Sequence, residues 1–243
     1  MNRFDKNSQY PHNGSVSIVI SSYLCPIHSQ AGFSYYSAKI QKITLKCDIL
    51  HKSHIRQKCN AVLRTRDSRL VTGCSKTVIP ESTKTIGEYA FYGTEINITG
   101  IPQNIDSILE CAFTECKRIE IISLPDSLSY IGPGTFDGCS NLQSILIPQK
   151  VNKIYYYTFR NCTSLKNVSF KEGLKVIGAY SFEGCKLIDS IEIPATVYYL
   201  GSHSFTGCSS LKEVKLLCTE ASLFSDSFDN YNNIRIGSNH LFK

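Results

Sequence analysis

Phenylalanine recurs at Phe91, Phe113, Phe136, Phe159, Phe182, Phe205 and Phe228, at intervals of 22 and then 23 residues throughout. A fixed period of this length marks stacked supersecondary units, and it changes the meaning of every residue that keeps the same register. Eleven residues ahead of these rings stand Pro80, Pro102, Pro125, Pro148 and Pro194, with Lys171 in place of the proline in one unit and Leu217 in the last. Between proline and phenylalanine lies an Ile-Gly pair or a variant of it: Ile86-Gly87, Ile108-Leu109, Ile131-Gly132, Ile154-Tyr155, Ile177-Gly178 and Leu200-Gly201. Cys116, Cys139, Cys162, Cys185 and Cys208 follow three residues behind the rings.

Each unit opens on a short alternating segment that ends at the proline position, such as Ile145-Leu146-Ile147-Pro148 or Ile191-Glu192-Ile193-Pro194. Alternation predicts a strand, and proline, with its fixed φ and missing donor, ends it. A second extended piece, for example Val176-Ile177, precedes the glycine. The remaining stretch to the cysteine is too short for a long helix and reads as a short helical or 3₁₀ corner with its aromatic ring inward. Gly93, Gly138, Gly184 and Gly207 suit a positive φ in that corner, and Asn161 is the next-best residue for it. Glu115 does not suit it, so an altered corner is expected there. Units this small bury their apolar face only by stacking, which predicts parallel strands about 4.8 Å apart and ladders of identical side chains. The expected architecture is a solenoid of six to seven 23-residue rungs, with short parallel β-strands and tight corners.

The run Leu124-Pro125-Asp126-Ser127-Leu128-Ser129-Tyr130-Ile131-Gly132-Pro133-Gly134-Thr135-Phe136-Asp137-Gly138-Cys139 strongly resembles the repeat of BspA-like leucine-rich-repeat proteins. The stretch from Cys59-Asn60-Ala61-Val62 to Ile79-Pro80 looks like the hairpin-bearing variant unit that such proteins place between standard ones. The resemblance covers residues 57 to 230. It implies a non-catalytic, leucine-rich-repeat solenoid on the surface of, or secreted by, a host-associated bacterium or parasitic protist, with adhesion to a protein or glycan ligand as its role. The expected organisation is an unassigned N-terminal region over residues 1–55, a variant unit over 56–79, standard repeats over 80–230 and a C-terminal tail over 231–243.

Composition narrows the remaining classes. No run of about 18 apolar residues exists, so no transmembrane helix is expected; Val16–Ile20, with Arg3 and Lys6 upstream, reads at most as a degenerate export signal. Residues 1–76 carry 12 Lys+Arg against 3 Asp+Glu, and the remainder 14 against 17, so the net +6 resides in the N-terminal part. Its arginines gather only as Arg64, Arg66 and Arg69 around Asp67, and no nucleic-acid partner is expected. Cys47, His51, His54 and Cys59 have no usual zinc-ligand spacing, and no metal or cofactor is expected. The five periodic cysteines read as a ladder of free, buried, small apolar side chains. His203 occupies a repeat position shared with Tyr157 and Tyr180 and is not a solitary base; phosphate-loop and dinucleotide fingerprints are missing. An enzyme is not expected.

Recognition then falls to the variable outward positions of the strand before each proline. These are Glu120 and Ser123, Gln143 and Ser144, Lys166, Asn167 and Ser169, Ser190 and Glu192, and Glu213 and Lys215, a set of polar residues of mixed sign. Leu146, Asp189 and Lys212 are outward positions of the same strands. An intracellular protein-protein scaffold, with reduced cysteines and no export, is the alternative reading.

Overall fold

The computed structural model of the chain describes residues 61–217, with short pieces at 16–18, 43–45, 222–223, 226–228 and 235–237. The chain divides into two units, residues 1–54 and 55–243. In the first, β1 (Val16–Ile18) pairs antiparallel with β2 (Ile43–Leu45). The second opens with an antiparallel hairpin of β3 (Val62–Arg64) and β4 (Arg69–Thr72). After it come β5 (Thr85–Ile86), β6 (Ser107–Ile108) and β7 (Tyr130–Ile131). Four-residue and two-residue strands then alternate: β8 (Ser144–Ile147), β9 (Lys153–Ile154), β10 (Asn167–Phe170), β11 (Val176–Ile177), β12 (Ser190–Ile193), β13 (Tyr199–Leu200), β14 (Glu213–Leu216) and β15 (Ser222–Leu223). Last is β16 (Arg235–Gly237).

From β4 onward every pairing is parallel and joins corresponding residues of successive rungs, as in Val176 beside Tyr199 or Ile191 beside Val214. The second unit is therefore a β-solenoid of about six turns, with one face of two-residue strands and another of four-residue strands. The segment 231–243, expected to be a tail, contributes β16, which continues the second face by pairing with β14.

The third side is the corner around each phenylalanine, and it holds the rungs most continuously. The rings of Phe91 through Phe228 stack with centroids 5.1–5.6 Å apart and planes within 12° of parallel. Each is almost wholly buried, which contributes on the order of 1.5–3 kcal/mol per ring. Main-chain bonds reinforce the stack. The amides of Tyr157, Phe159 and Asn161 donate to the carbonyls of Ala179, Ser181 and Glu183 in the next rung, at 3.4, 2.8 and 2.7 Å. Between them, the amides of Arg160 and Cys162 close tight turns onto Tyr157 and Phe159 of their own rung.

This alternation exists because residues two before and two after each ring from Phe91 to Phe205 have positive φ, as Tyr157 at 59° and Asn161 at 57°. The turns are 3₁₀-like in their i→i−3 bonding, but the left-handed residues keep them from winding into a helix and aim alternate amides along the solenoid axis. The one 3₁₀ helix among the described residues is Thr65–Asp67, in the hairpin. Glu115 does not alter its corner, contrary to expectation. It takes φ 60° like its counterparts, and its side chain lies across Gly138 of the next rung, where a Cβ would come within 2.3 Å of it. Asn161 lies across Gly184 in the same way. Glycines next in line thus make room for the side chains in the column.

The periodic cysteines are free and buried, and they also serve as donors. Each thiol points at the carbonyl of the phenylalanine one rung back, from Cys116 on Phe91 to Cys208 on Phe182, with sulfur–oxygen distances of 3.0–3.2 Å. Burial pushes the Cys116 thiol up to about 12 and those of Cys139, Cys162 and Cys185 well above the ordinary range, so all remain protonated donors.

One ion pair is built into the corner. Asp137, buried, is gripped by the Arg160 guanidinium of the next rung, which also lies 4.3 Å from the Tyr157 ring centroid. Burial lifts the Asp137 carboxyl above the usual carboxylate range, and Arg160 offsets part of that.

Two stability predictions follow from these corners. Glu115→Gly removes a left-handed side chain and only an exposed pair with Lys117, and should stabilise the chain by about 1 kcal/mol in denaturant unfolding. Arg160→Met strands a buried carboxylate and should destabilise by about 3 kcal/mol near neutral pH. Because the folded Asp137 binds its proton more tightly than the unfolded one, that deficit should shrink as pH is lowered from about 7 to about 4. A deficit independent of pH would assign it to lost packing of the arginine stem.

Candidate functional site

The four-residue strands place alternate side chains on opposite faces, and the inward set, Ile145, Ile147, Ile191, Ile193, Val214 and Leu216, is buried. Register then aligns the outward set into two columns. In one, Ile121 bridges to Ser144, which pairs with Asn167, and Ser190 pairs with Glu213. In the other, Ser123 bridges to Gly100, Leu146 pairs with Ser169, and Glu192 pairs with Lys215. The flanking Glu120 carbonyl accepts the Gln143 amide at 2.8 Å, and the Gln143 carbonyl accepts the Lys166 amide at 2.9 Å.

All the strand-face residues selected from the sequence are exposed except Ser144, which is half-buried. Two apolar members of the columns are also exposed, Ile121 at 54% and Leu146 at 48%. Ile121 escapes sequence reading because Glu120-Ile121-Ile122-Ser123 offers two adjacent isoleucines for one inward place; the bridge to Ser144 decides that Ile122 takes it. Lys215 donates to Glu192 at 2.7 Å, but both side chains are more than half exposed and the pair contributes little to stability.

The face is interrupted once in its paired run. No main-chain hydrogen bond joins β10 to β12, although β10 pairs with β8 and β12 with β14. At this step the repeat departs from its pattern: Phe170 stands at the position of Ile147 and Ile193, and Lys171 replaces the proline. Ile147 and Ile193 are fully buried, whereas Phe170 is half-buried, its ring meeting Phe182 edge-on at 6.4 Å. The pairing lapses at the step where this larger ring replaces an isoleucine. Over this step and the adjoining β12–β14 pair lies a shallow cleft of about 370 Å³ lined by Lys166, Asn167, Ser169, Ser190, Glu192, Glu213 and Lys215, among others, seven of the eleven expected residues.

The face of two-residue strands is also broken once, between β7 and β9. Glycines there pack directly on the preceding rung; a Cβ on Gly132 would lie 2.6 Å from the Glu110 amide nitrogen. Leu109 occupies that slot and keeps its amide bond to Ile86 at 2.9 Å, but no such bond ties Tyr155 to Ile131. Nearby, Tyr157, Tyr180 and His203 form a column with centroids 5.4 and 4.9 Å apart. His203 contacts Thr206 at 3.2 Å and Asp226 at 3.3 Å, as one member of that column. Cys47, His51, His54 and Cys59 lie outside the described residues. No helix of the described residues is long and apolar enough to cross a membrane.

Solved structures resemble this solenoid. A leucine-rich-repeat protein of T. pallidum is 25% identical over 61% of this chain and 63% of its own, with a TM-score of 0.49. A leucine-rich cell surface protein of Faecalibacterium prausnitzii is 25% identical over 56% of this chain and 37% of its own, with a TM-score of 0.50. For a leucine-rich-repeat protein of Eubacterium ventriosum the values are 21%, 60%, 48% and 0.50. The chain thus spans between about a third and two thirds of the length of these proteins. Comparison with curated proteins finds no match. The model of the BspA type leucine-rich repeat region matches six copies, over residues 71–187 and 135–239. With its phenylalanine ladder, paired strand faces and that match over most of its length, the chain belongs to the BspA-type leucine-rich-repeat family.

Proposed function

We propose that the chain is a non-catalytic recognition solenoid, working at a cell surface or after secretion, that binds a protein or glycan ligand on its four-residue-strand face. The observation that carries this reading is the concentration of Lys166, Asn167, Ser169, Ser190, Glu192, Glu213 and Lys215 around one cleft. Strand register fixes their spacing within β10 and within the β12–β14 pair, so little order has to be imposed on binding. The likeness to a cell surface protein of Faecalibacterium prausnitzii supports the surface location. Adhesion is the role that the family resemblance implies.

The test is capture from host-cell surface extract by the full chain and by a triple variant, Lys166→Glu, Glu192→Lys and Lys215→Glu. Swapping Glu192 and Lys215 together keeps their ion pair while inverting the pattern a partner meets. Retention of a specific partner by the native chain, with at least about tenfold weaker binding to the variant, is expected. Undiminished binding would move the site to the corner or loop positions.

A further inference from the structure

We infer that Tyr156, Tyr130 and Glu110 form a receptor for an arginine side chain carried by a protein partner, on a side of the solenoid separate from the four-residue-strand face. The chain supplies its own precedent at the next residue. There the Arg160 guanidinium lies 4.3 Å from the Tyr157 ring centroid and bonds the Asp137 carboxylate of the rung behind. A guanidinium suits both partners at once, because it stacks flat on a ring and presents a fork of donors to a carboxylate.

Glu110, Pro133 and Tyr156 occupy the same place in successive rungs: their carbonyls accept the amides of Tyr89, Cys111 and Gly134, at 3.0, 2.9 and 3.1 Å. Pro133 between them is small and buried, and the Tyr156 hydroxyl reaches back over it into the field of Glu110. Tyr130 stands in that field too, its ring 5.4 Å from that of Tyr155 and tilted against it. Lys153 lies over Tyr155 at 4.4 Å, as Arg160 lies over Tyr157. Tyr156, between those two rings in sequence, meets Tyr157 at right angles and stays 47% exposed. Half-buried Glu110 has no ion-pair partner among the described residues, whereas Glu88 has Arg69 at 3.7 Å. The arrangement of ring and carboxylate is thus present a second time, without its cation.

Electrostatics point the same way. Burial and the charge of Glu88 push the Glu110 carboxyl above the ordinary glutamate range, and burial and the charge of Glu110 raise the Tyr156 hydroxyl. A bound cation offsets the repulsion in both places, and a neutral sugar offsets neither. Among cations, a guanidinium can cover a ring and reach the carboxylate together, whereas an ammonium is a point charge. The site is open, so a free small cation has little to bury there. An arginine tethered to a docked protein arrives with most of its freedom already given up.

The probe is the end-capped tripeptide Gly-Arg-Gly, titrated against the full chain with isotope-labelled tyrosine and glutamate and followed by NMR. Its controls are the citrulline counterpart, which keeps a planar side chain without the charge, tetramethylammonium, and the variants Glu110→Gln and Tyr156→Leu, whose folding is checked by thermal unfolding. Saturable shifts of the Tyr130 and Tyr156 rings in the millimolar range are expected, with binding at least about fivefold weaker for citrulline and for each variant. Bound arginine should also lower the titration midpoint of Glu110, since a cation favours the charged carboxylate. Absence of saturable shifts, equal binding of citrulline, undiminished binding to Glu110→Gln, or an unmoved Glu110 titration would each overturn the inference. Tetramethylammonium binding as tightly as the arginine peptide would overturn it as well, by assigning the site to a free small cation.

Discussion

Everything in this solenoid depends on the corner in which left-handed residues alternate around an inward phenylalanine. That backbone turns every second amide along the axis, so each corner from Phe91 to Phe182 is tied to the next by three hydrogen bonds while the rings stack beneath them. The thiol three residues on then meets the phenylalanine carbonyl of the rung behind. Side-chain ladder and main-chain ladder are thus one structure. It continues across both steps where a sheet face is interrupted.

That continuity explains how the chain tolerates departures on its faces. Tyr155 in a glycine slot and Phe170 in an isoleucine slot each coincide with loss of pairing on one face, yet the Phe136–Phe159 and Phe159–Phe182 stacks on either side of that rung keep spacings of 5.5 and 5.3 Å. A fold held on three sides can open one of them locally. The shallow cleft over β10, β12 and β14 lies at the step where the pairing lapses, and there the variable residues are brought together.

Much of this is legible in the residues. The period, the strand before the proline, the inward ring and the free cysteine ladder all follow from spacing, and the strand-face positions from alternation. The donor role of the thiols does not, because it depends on carbonyls that turn inward only once the left-handed corners exist. Glu115 misleads for a related reason: its conformational penalty is visible in the sequence, but the empty space over Gly138 that receives its side chain belongs to the neighbouring rung. Ile121 and Ile122 cannot be ranked without the bridge between Ile121 and Ser144.

The sequence by itself determined the rung, its length and its stacking, since a 23-residue unit with one face of Ile, Leu and Phe has no other way to bury that face. It also determined which side chains vary on the outside. Tertiary structure alone decided where the strand ladders break and which variable residues surround an opening. Pairing between rungs is a long-range balance of side-chain volume against main-chain hydrogen bonds, and residues such as Phe170 enter that balance only through the neighbouring rungs they meet.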